Sequence, residues 1–452
     1  MKKTLIKNVI VVNEGKQYKA SVTIDGEIIK KIVTHEECSD EEFDTVIDGS
    51  NQYLLPGIID DHVHFRDPGL TQKGDISSES CAAVAGGVTS IMDMPNTTPQ
   101  TTSLEALEEK LKLMANKCHT NYSCYFGATN QNVDILPQLD RHNICGVKVF
   151  MGASTGNMLV DRLKSLEAIF NNTNLLIATH CENQDLIRQN TQHYKQQNGN
   201  PDDIPLKYHP IIRSEEACFQ SSSLAVRLAK ESGARLHILH ISTARELSLF
   251  DNKPLAEKQI TAEACIGHLM FSDNDYEKFG TRIKCNPAIK TLEDRNTLRK
   301  AVSDGIIDVI ATDHAPHLLS DKDGGALKAA SGIPMIQFSL VSMLELVNQG
   351  VFSIEQIVQK MAHAPSAIYK INNRGYIREG YQADLVLVQK NDSWIVTQPL
   401  IQSSCKWSPF EKEQFNWKVK KTFVNGNLVY DNGEVDRSEE HTSELQSPLI
   451  IS

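Results

Sequence analysis

The run Leu54-Leu-Pro-Gly-Ile-Ile-Asp-Asp-His62-Val-His64-Phe-Arg66 decides the fold. An apolar segment of strand length gives way, with no linker, to carboxylates, two imidazoles and a guanidinium. Further apolar runs follow at 88–94, 121–128, 145–151, 174–180, 234–241, 259–265 and 306–312. Most of the stretches between them carry helical periodicity, as in Leu104-Glu-Ala-Leu-Glu-Glu-Lys-Leu-Lys-Leu-Met114 and Ser223-Leu-Ala-Val-Arg-Leu-Ala-Lys230. Continuous apolar strands alternating with helices predict a parallel sheet covered on its faces. Eight such units predict an α/β chain with a closed (β/α)8 TIM barrel over residues 55–375.

The two ends have another rhythm. Residues 1–54 and 376–436 show short strands and turns, among them Ala383-Asp-Leu-Val-Leu-Val388 and Lys421-Thr-Phe-Val-Asn-Gly426. The Asn425-Gly426 pair is a hairpin signal, and together the ends predict one composite β-sandwich domain. Residues 190–203 are polar and read as a loop. Residues 437–452 resemble translated read-through of a sequencing adapter and are expected to be an artefactual or disordered tail.

Composition narrows the partners. The 452 residues include 46 basic and 57 acidic side chains, a net charge of −11, which argues against nucleic acid or an anionic membrane. No secretory h-region follows the first lysines, and no window approaches ~18 uninterrupted apolar residues. The ten cysteines form no CxxC pair and lie mostly in apolar runs, as expected for free thiols of a cytoplasmic protein.

In a barrel of this kind functional residues stand where strands end. His62 and His64, two apart on one strand, point to the same face and can share a metal ion; the alternative is a pair of strand histidines in a polar crevice. The fifth strand ends at His180, the sixth at His240, and the eighth runs into Asp313-His-Ala-Pro-His317. His237 reads as a packing residue facing away from His240. His35, His119, His142, His193 and His209 read as surface, and His268, His314 and His363 as structural. Lys148, inside Gly146-Val-Lys-Val-Phe150, is costly to bury as an ammonium. An ion pair with Asp313 or Asp61 is the first reading. The other is a neutral amine that has added carbon dioxide, giving a carbamate able to bridge two cations.

Asp61-His-Val-His-Phe-Arg-Asp-Pro-Gly69, Met92-Asp-Met-Pro-Asn-Thr-Thr98 and Ala311-Thr-Asp-His-Ala-Pro-His317 resemble the signatures of the dihydroorotase family, within the cyclic amidohydrolase superfamily. The likeness spans residues 1–436, including Gly380-Tyr-Gln-Ala-Asp-Leu-Val386, and is greatest to the bacterial form with a carboxylated lysine. This resemblance implies that His62, His64 and Asp313 hold one Zn2+, that His180 and His240 hold a second, and that carboxylated Lys148 and a hydroxide bridge the two. It implies Asp313 as general acid and base, and Arg66, Asn96, Asn286 and His317 as substrate contacts. The implied reaction is reversible cyclisation of N-carbamoyl-L-aspartate to (S)-dihydroorotate and water, in pyrimidine synthesis. Partners are then a small-molecule substrate, with no nucleic acid and no membrane, and a homo-oligomer is left open. An allantoinase or hydantoinase would share the metal set but have no carboxylate for Arg66 to clamp. An inactive homologue serving as an assembly partner would have lost ligands, whereas all six positions are filled.

Overall fold

In the computed structural model, which describes residues 2–34, 39–152, 158–437 and 448–449, the chain changes sheet at Gly57. The apolar run 54–63 is therefore two strands: Gln52–Pro56 lies in one sheet and Ile58–Val63 in another. A Cβ at Gly57 would stand 2.1 Å from Thr89 Oγ1, so no side chain fits where the sheets meet.

The second of these strands opens a ring of eight parallel strands: β1 Ile58–Val63, β2 Val88–Asp93, β3 Asn121–Gly127, β4 Gly146–Phe150, β5 Ile177–His180, β6 Leu236–Ile238, β7 Ile260–Cys265 and β8 Val309–Ala311. Each pairs with the next in sequence, and a bridge between Val63 and His314 returns the end of β8 to β1. Ile59, Met92, Tyr125, Ala178 and Val309, from five of the strands, share one buried apolar cluster.

Local chemistry sets the helix boundaries. Asp75 caps Ile76–Ala85 by accepting from Ser78 N, Ser103 caps Leu104–Lys117, and Ser214 caps Glu215–Ser232, which stops at the left-handed Gly233 (φ 77°). The polar stretch expected as loop over 190–203 is instead helical as far as its eighth residue, within Gln184–Gln197. Its apolar stripe is thin, with Ile187 alone fully buried. The Asn183 side chain, accepting from Asp185 N and Leu186 N, starts the helix where periodicity is silent.

Nine strands from both chain ends build the second sheet, so the molecule is a TIM barrel carrying a β-sandwich. The ends meet where Gln52–Pro56 pairs antiparallel with Leu385–Ile395. The Asn425-Gly426 turn joins Gln414–Val424 to Asn427–Asp431, with both turn residues at positive φ (48° and 78°), the conformation whose twist matches a tight hairpin. Val9, Val22, Ile24, Leu54, Leu385 and Phe423 belong to its core.

Nine cysteines are free and buried; Cys38 and His35 lie outside the described residues. So does most of the expected tail, but Pro448 bridges Tyr122 and Leu449 is buried against the barrel, contrary to a wholly unattached segment. No described helix is long and apolar enough to cross a membrane.

Candidate active site

The ends of the barrel strands open on a cleft of about 320 Å³. Its lining includes His62, His64, Arg66, Asn96, Lys148, His180, His240, Asn286, Asp313 and His317. Every side chain chosen from the sequence as a candidate site residue thus lies in one cavity. Leu70, Lys73, Phe150, Ala315 and Ala330–Gly332 complete the wall.

Three of these residues, Arg66 (φ 68°), His240 (φ 40°) and Asp313 (φ 48°), adopt the left-handed backbone that L-residues avoid. Buried bonds hold each in place. Arg66 Nε donates to Pro316 O (3.1 Å), and the neighbouring Phe65 N donates to Asp93 Oδ1 (2.8 Å). Asp93 is in turn fixed by Lys110, whose Nζ lies 2.6 Å from its carboxylate and 2.6 Å from Met94 O. His240 N donates to Glu263 Oε1 (2.8 Å), and Thr312 Oγ1, beside Asp313, donates to Asp60 Oδ2 (2.6 Å).

The imidazoles converge on carboxylate oxygen. His62 Nε2 and His64 Nε2 lie 3.2 and 3.0 Å from the same atom, Asp313 Oδ1. Their outer nitrogens are engaged: His62 Nδ1 with Glu263 Oε1 (2.9 Å) and His64 Nδ1 with Asn96 Oδ1 (2.7 Å). Each outer nitrogen thus faces an acceptor, and with the proton held there each inner one would offer a lone pair to a cation. His180 is turned the other way. Its Nε2 donates to Glu182 Oε2 (2.9 Å), a carboxylate also held by Arg213, which leaves the lone pair on Nδ1 as the one that could bind a cation. The His240 ring is 4.6 Å from that of His180 and 5.4 Å from that of His62.

Burial opposes charge on Asp313, yet the His62 and His64 rings outweigh it and hold the carboxyl down at about 2. Burial, only partly offset by Asp313, lowers His64 to about 4. Against its burial, Glu263 and Asp313 push His62 the other way, upward. Imidazole nitrogens gathered on an ionised carboxylate are the donor set of a divalent cation.

Lys148 is fully buried, and its Nζ stands 4.7 Å over the Phe150 ring. Among the described residues it forms no salt bridge, so the expected ion pair with Asp313 or Asp61 is not what the fold provides. Burial, partly countered by Asp313 and Glu263, brings its amine down to about 8. Asp61 instead faces His237, with Oδ2 3.3 Å from Nε2 and Glu263 Oε2 3.8 Å away. His237, read as a packing residue facing away from the site, belongs to this buried charged cluster. His119 and His209, expected on the surface, are buried as well; His209 Nε2 bonds Cys285 O (2.8 Å).

Also in the lining, Arg66 is buried and Lys73 half-buried, on either side of His317. Among the described residues neither cation forms a salt bridge. Asn286 Oδ1 is buried in the wall with no hydrogen-bond partner, and a buried polar atom left so is costly unless a ligand satisfies it. Sequence reasoning overlooked Glu263, Glu182 and Lys73. The partners of Glu263 and Lys73 come from other strands and loops, so no local pattern marks those two, whereas Glu182 follows its partner His180 by two residues.

Comparison with known proteins agrees on the family at three levels. The amidohydrolase family model matches residues 53–429. The chain is 31% identical to the dihydroorotase of Methanosphaera stadtmanae over 425 residues, 92% of this chain and 94% of that protein. It is 30% identical to the dihydroorotase of Lactobacillus johnsonii over 433 residues, 95% and 99%. Among solved structures, the L-hydantoinase (dihydropyrimidinase) from Arthrobacter aurescens superposes over 100% of both chains with a TM-score of 0.92 at 26% identity. Dihydropyrimidinase from Brevibacillus agri shares the fold, with a TM-score of 0.87.

Proposed function

This chain belongs to the amidohydrolase family and is a hydrolase acting on cyclic amides, and we propose that it is a dihydroorotase. It would interconvert N-carbamoyl-L-aspartate and (S)-dihydroorotate plus water, a step of pyrimidine synthesis. The carrying observation is the buried Arg66 guanidinium, without a carboxylate partner among the described residues, in the same cleft as the histidine cluster. A desolvated cation of this kind is costly unless an anion arrives to pair with it. The planar fork suits a substrate carboxylate bidentately.

The donor set fits two divalent ions, zinc on our reading. His62, His64 and Asp313 would hold one and His180 and His240 the other. Lys148 would lie between them as its carbamate, an anion where an ammonium would repel. Such ions supply a water acid enough to attack at neutral pH and a Lewis acid for the amide oxygen. The rest is the work of the chain. Arg66, Asn96, Asn286 and His317 bind and orient the substrate. Asn96 accepts from His64 through Oδ1, so its NH2 group is left for the substrate. In the hydrolytic direction Asp313 accepts the proton of the attacking water and returns it to the ring nitrogen as the C–N bond breaks. Catalysis would then reside in a barrel over 55–375, with 1–54 and 376–436 forming the accompanying domain.

The structural neighbours named hydantoinases favour a second reading, action on an uncharged ring. A metal-replete assay of carbamoyl aspartate and dihydroorotate, beside hydantoin and allantoin, decides between them. Turnover of the carboxylate-bearing pair is expected, and turnover of the uncharged rings alone would refute the proposal. Convergence of all six ligand positions speaks against an inactive assembly partner.

A further inference from the structure

His317 presents a hydrogen-bond conflict. Its Nδ1 is 3.3 Å from Lys73 Nζ, and its Nε2 is 3.2 Å from Arg66 Nη2. Both neighbours are donors only, whereas a neutral imidazole has one donor and one acceptor nitrogen. The ring is kept neutral, because burial and the nearby Arg66, Lys73 and Lys322 cations push its protonation down to about 2. One further contact resolves the tautomer: Nε2 is 3.2 Å from the Ser331 carbonyl, an acceptor. The proton therefore sits on Nε2, and Nδ1 accepts from Lys73. Asp321 Oδ2, 3.7 Å from Nδ1, is beyond hydrogen-bond reach. Arg66 Nη2 and His317 Nε2–H are then two donors side by side, the second of them held by the Ser331 carbonyl until a stronger acceptor arrives.

The chain is bent to bring Lys73 there. Leu70 N donates to Arg66 O and Lys73 N to Leu70 O, both at 3.0 Å, two successive turns that carry the lysine over the cleft. Gly69 permits the first of them: its φ is 83°, and a Cβ would meet Thr98 O at 1.9 Å.

We propose that Lys73 is a positioning and specificity-determining residue of the carboxylate wall. By donating to His317 Nδ1 it keeps the proton on Nε2 beside Arg66, where a substrate carboxylate can replace the Ser331 carbonyl as its acceptor, and its charge favours anionic over uncharged rings. This inference rests on the dihydroorotase reading, which assigns the wall to a carboxylate.

The test compares K73M and K73R with the wild-type holoenzyme. For each protein, KM and kcat are measured with carbamoyl aspartate, dihydroorotate and hydantoin, and metal per chain by elemental analysis. K73M is expected to raise KM for the two carboxylate-bearing substrates tenfold or more, with kcat within threefold, metal content unchanged and any hydantoin turnover undiminished. K73R, which keeps the charge and a donor, is expected to recover most of the loss. A KM within twofold of wild type in K73M would overturn the inference. So would equal damage in K73R, or a parallel loss on hydantoin. If wild type itself turns over neither carboxylate-bearing substrate, the dihydroorotase reading falls first. If it does and K73M matches it, the role of Lys73 falls alone.

Discussion

Asp313 carries the heaviest demand of any single residue, because two imidazoles and a strained backbone converge on it. Replacing Asp313 with Asn keeps shape and removes the proton acceptor. We expect kcat to fall by ~10²–10⁴-fold with the melting temperature little changed; near-normal turnover would remove Asp313 from that role. Lys148 makes a different prediction. In K148A the zinc content, read by elemental analysis, is expected to fall together with activity, and full metal loading would exclude a bridging carbamate. Glu263 touches no substrate but bonds both His62 Nδ1 and His240 N. E263Q should weaken metal affinity roughly 10–100-fold in a chelator competition, and unchanged affinity would reduce Glu263 to packing. That the histidines and Asp313 gather in one cleft was legible in the sequence because each stands at or just past the end of an apolar run, so strand end and chemistry coincide. Glu263 was not, since a carboxylate inside a strand acquires its meaning from a histidine elsewhere in the chain; Glu182 stands two residues after its partner His180 and was passed over. The same blindness produced the ion pair expected for Lys148: a charge count cannot say which carboxylate is within reach.

At the scale of elements, β2 runs into the substrate wall through Asp93, which holds the Phe65 backbone beside Arg66. Both Lys110, in the helix Leu104–Lys117, and Asp93 are fully buried. Removing one partner strands a charge in the interior, so K110M is expected to cost about 3–5 kcal/mol of unfolding free energy. A urea midpoint matching wild type would contradict that. The alternation of strands and helices was legible from apolar runs, and the Asn425-Gly426 hairpin from turn chemistry. Two element assignments went astray for physical reasons. The run 54–63 reads as one strand because both sheets want apolar residues, and the switch at Gly57 is a matter of space. The polar helix Gln184–Gln197 exposes most of its surface and so has almost no hydrophobic period to read.

For the whole molecule, buried neutral histidines couple stability to pH. Burial lowers His268 to about 4 and His209 well below its ordinary value. In the unfolded chain both take up protons as pH falls through about 6.5, whereas folded His268 stays neutral until about pH 4 and folded His209 is held well below its ordinary range. The unfolded state then binds more protons across that window. The contribution of these two rings is therefore constant above pH 7 and is lost on acidification by up to about 1.4 kcal/mol per pH unit for each. Between pH 7 and 5 the urea midpoint of wild type should fall relative to that of H268N. A difference that does not change with pH would show that the His268 ring is protonated in the native state. The architecture was legible as a whole, but the attachment of Pro448-Leu449 was not, since nothing in that polar tail announces a partner at Tyr122.

The pairing of Gln52–Pro56 with Leu385–Ile395 has a consequence for biosynthesis. The nascent amino-terminal strands leave the ribosome with a bare edge whose complement is about 330 residues away, which at ~5–20 residues per second is a wait of roughly 15–65 s. Throughout that interval the hydrogen-bonding groups of this edge are open to any other extended chain. Heterologous production should accordingly favour slow expression or abundant chaperone over a strong promoter.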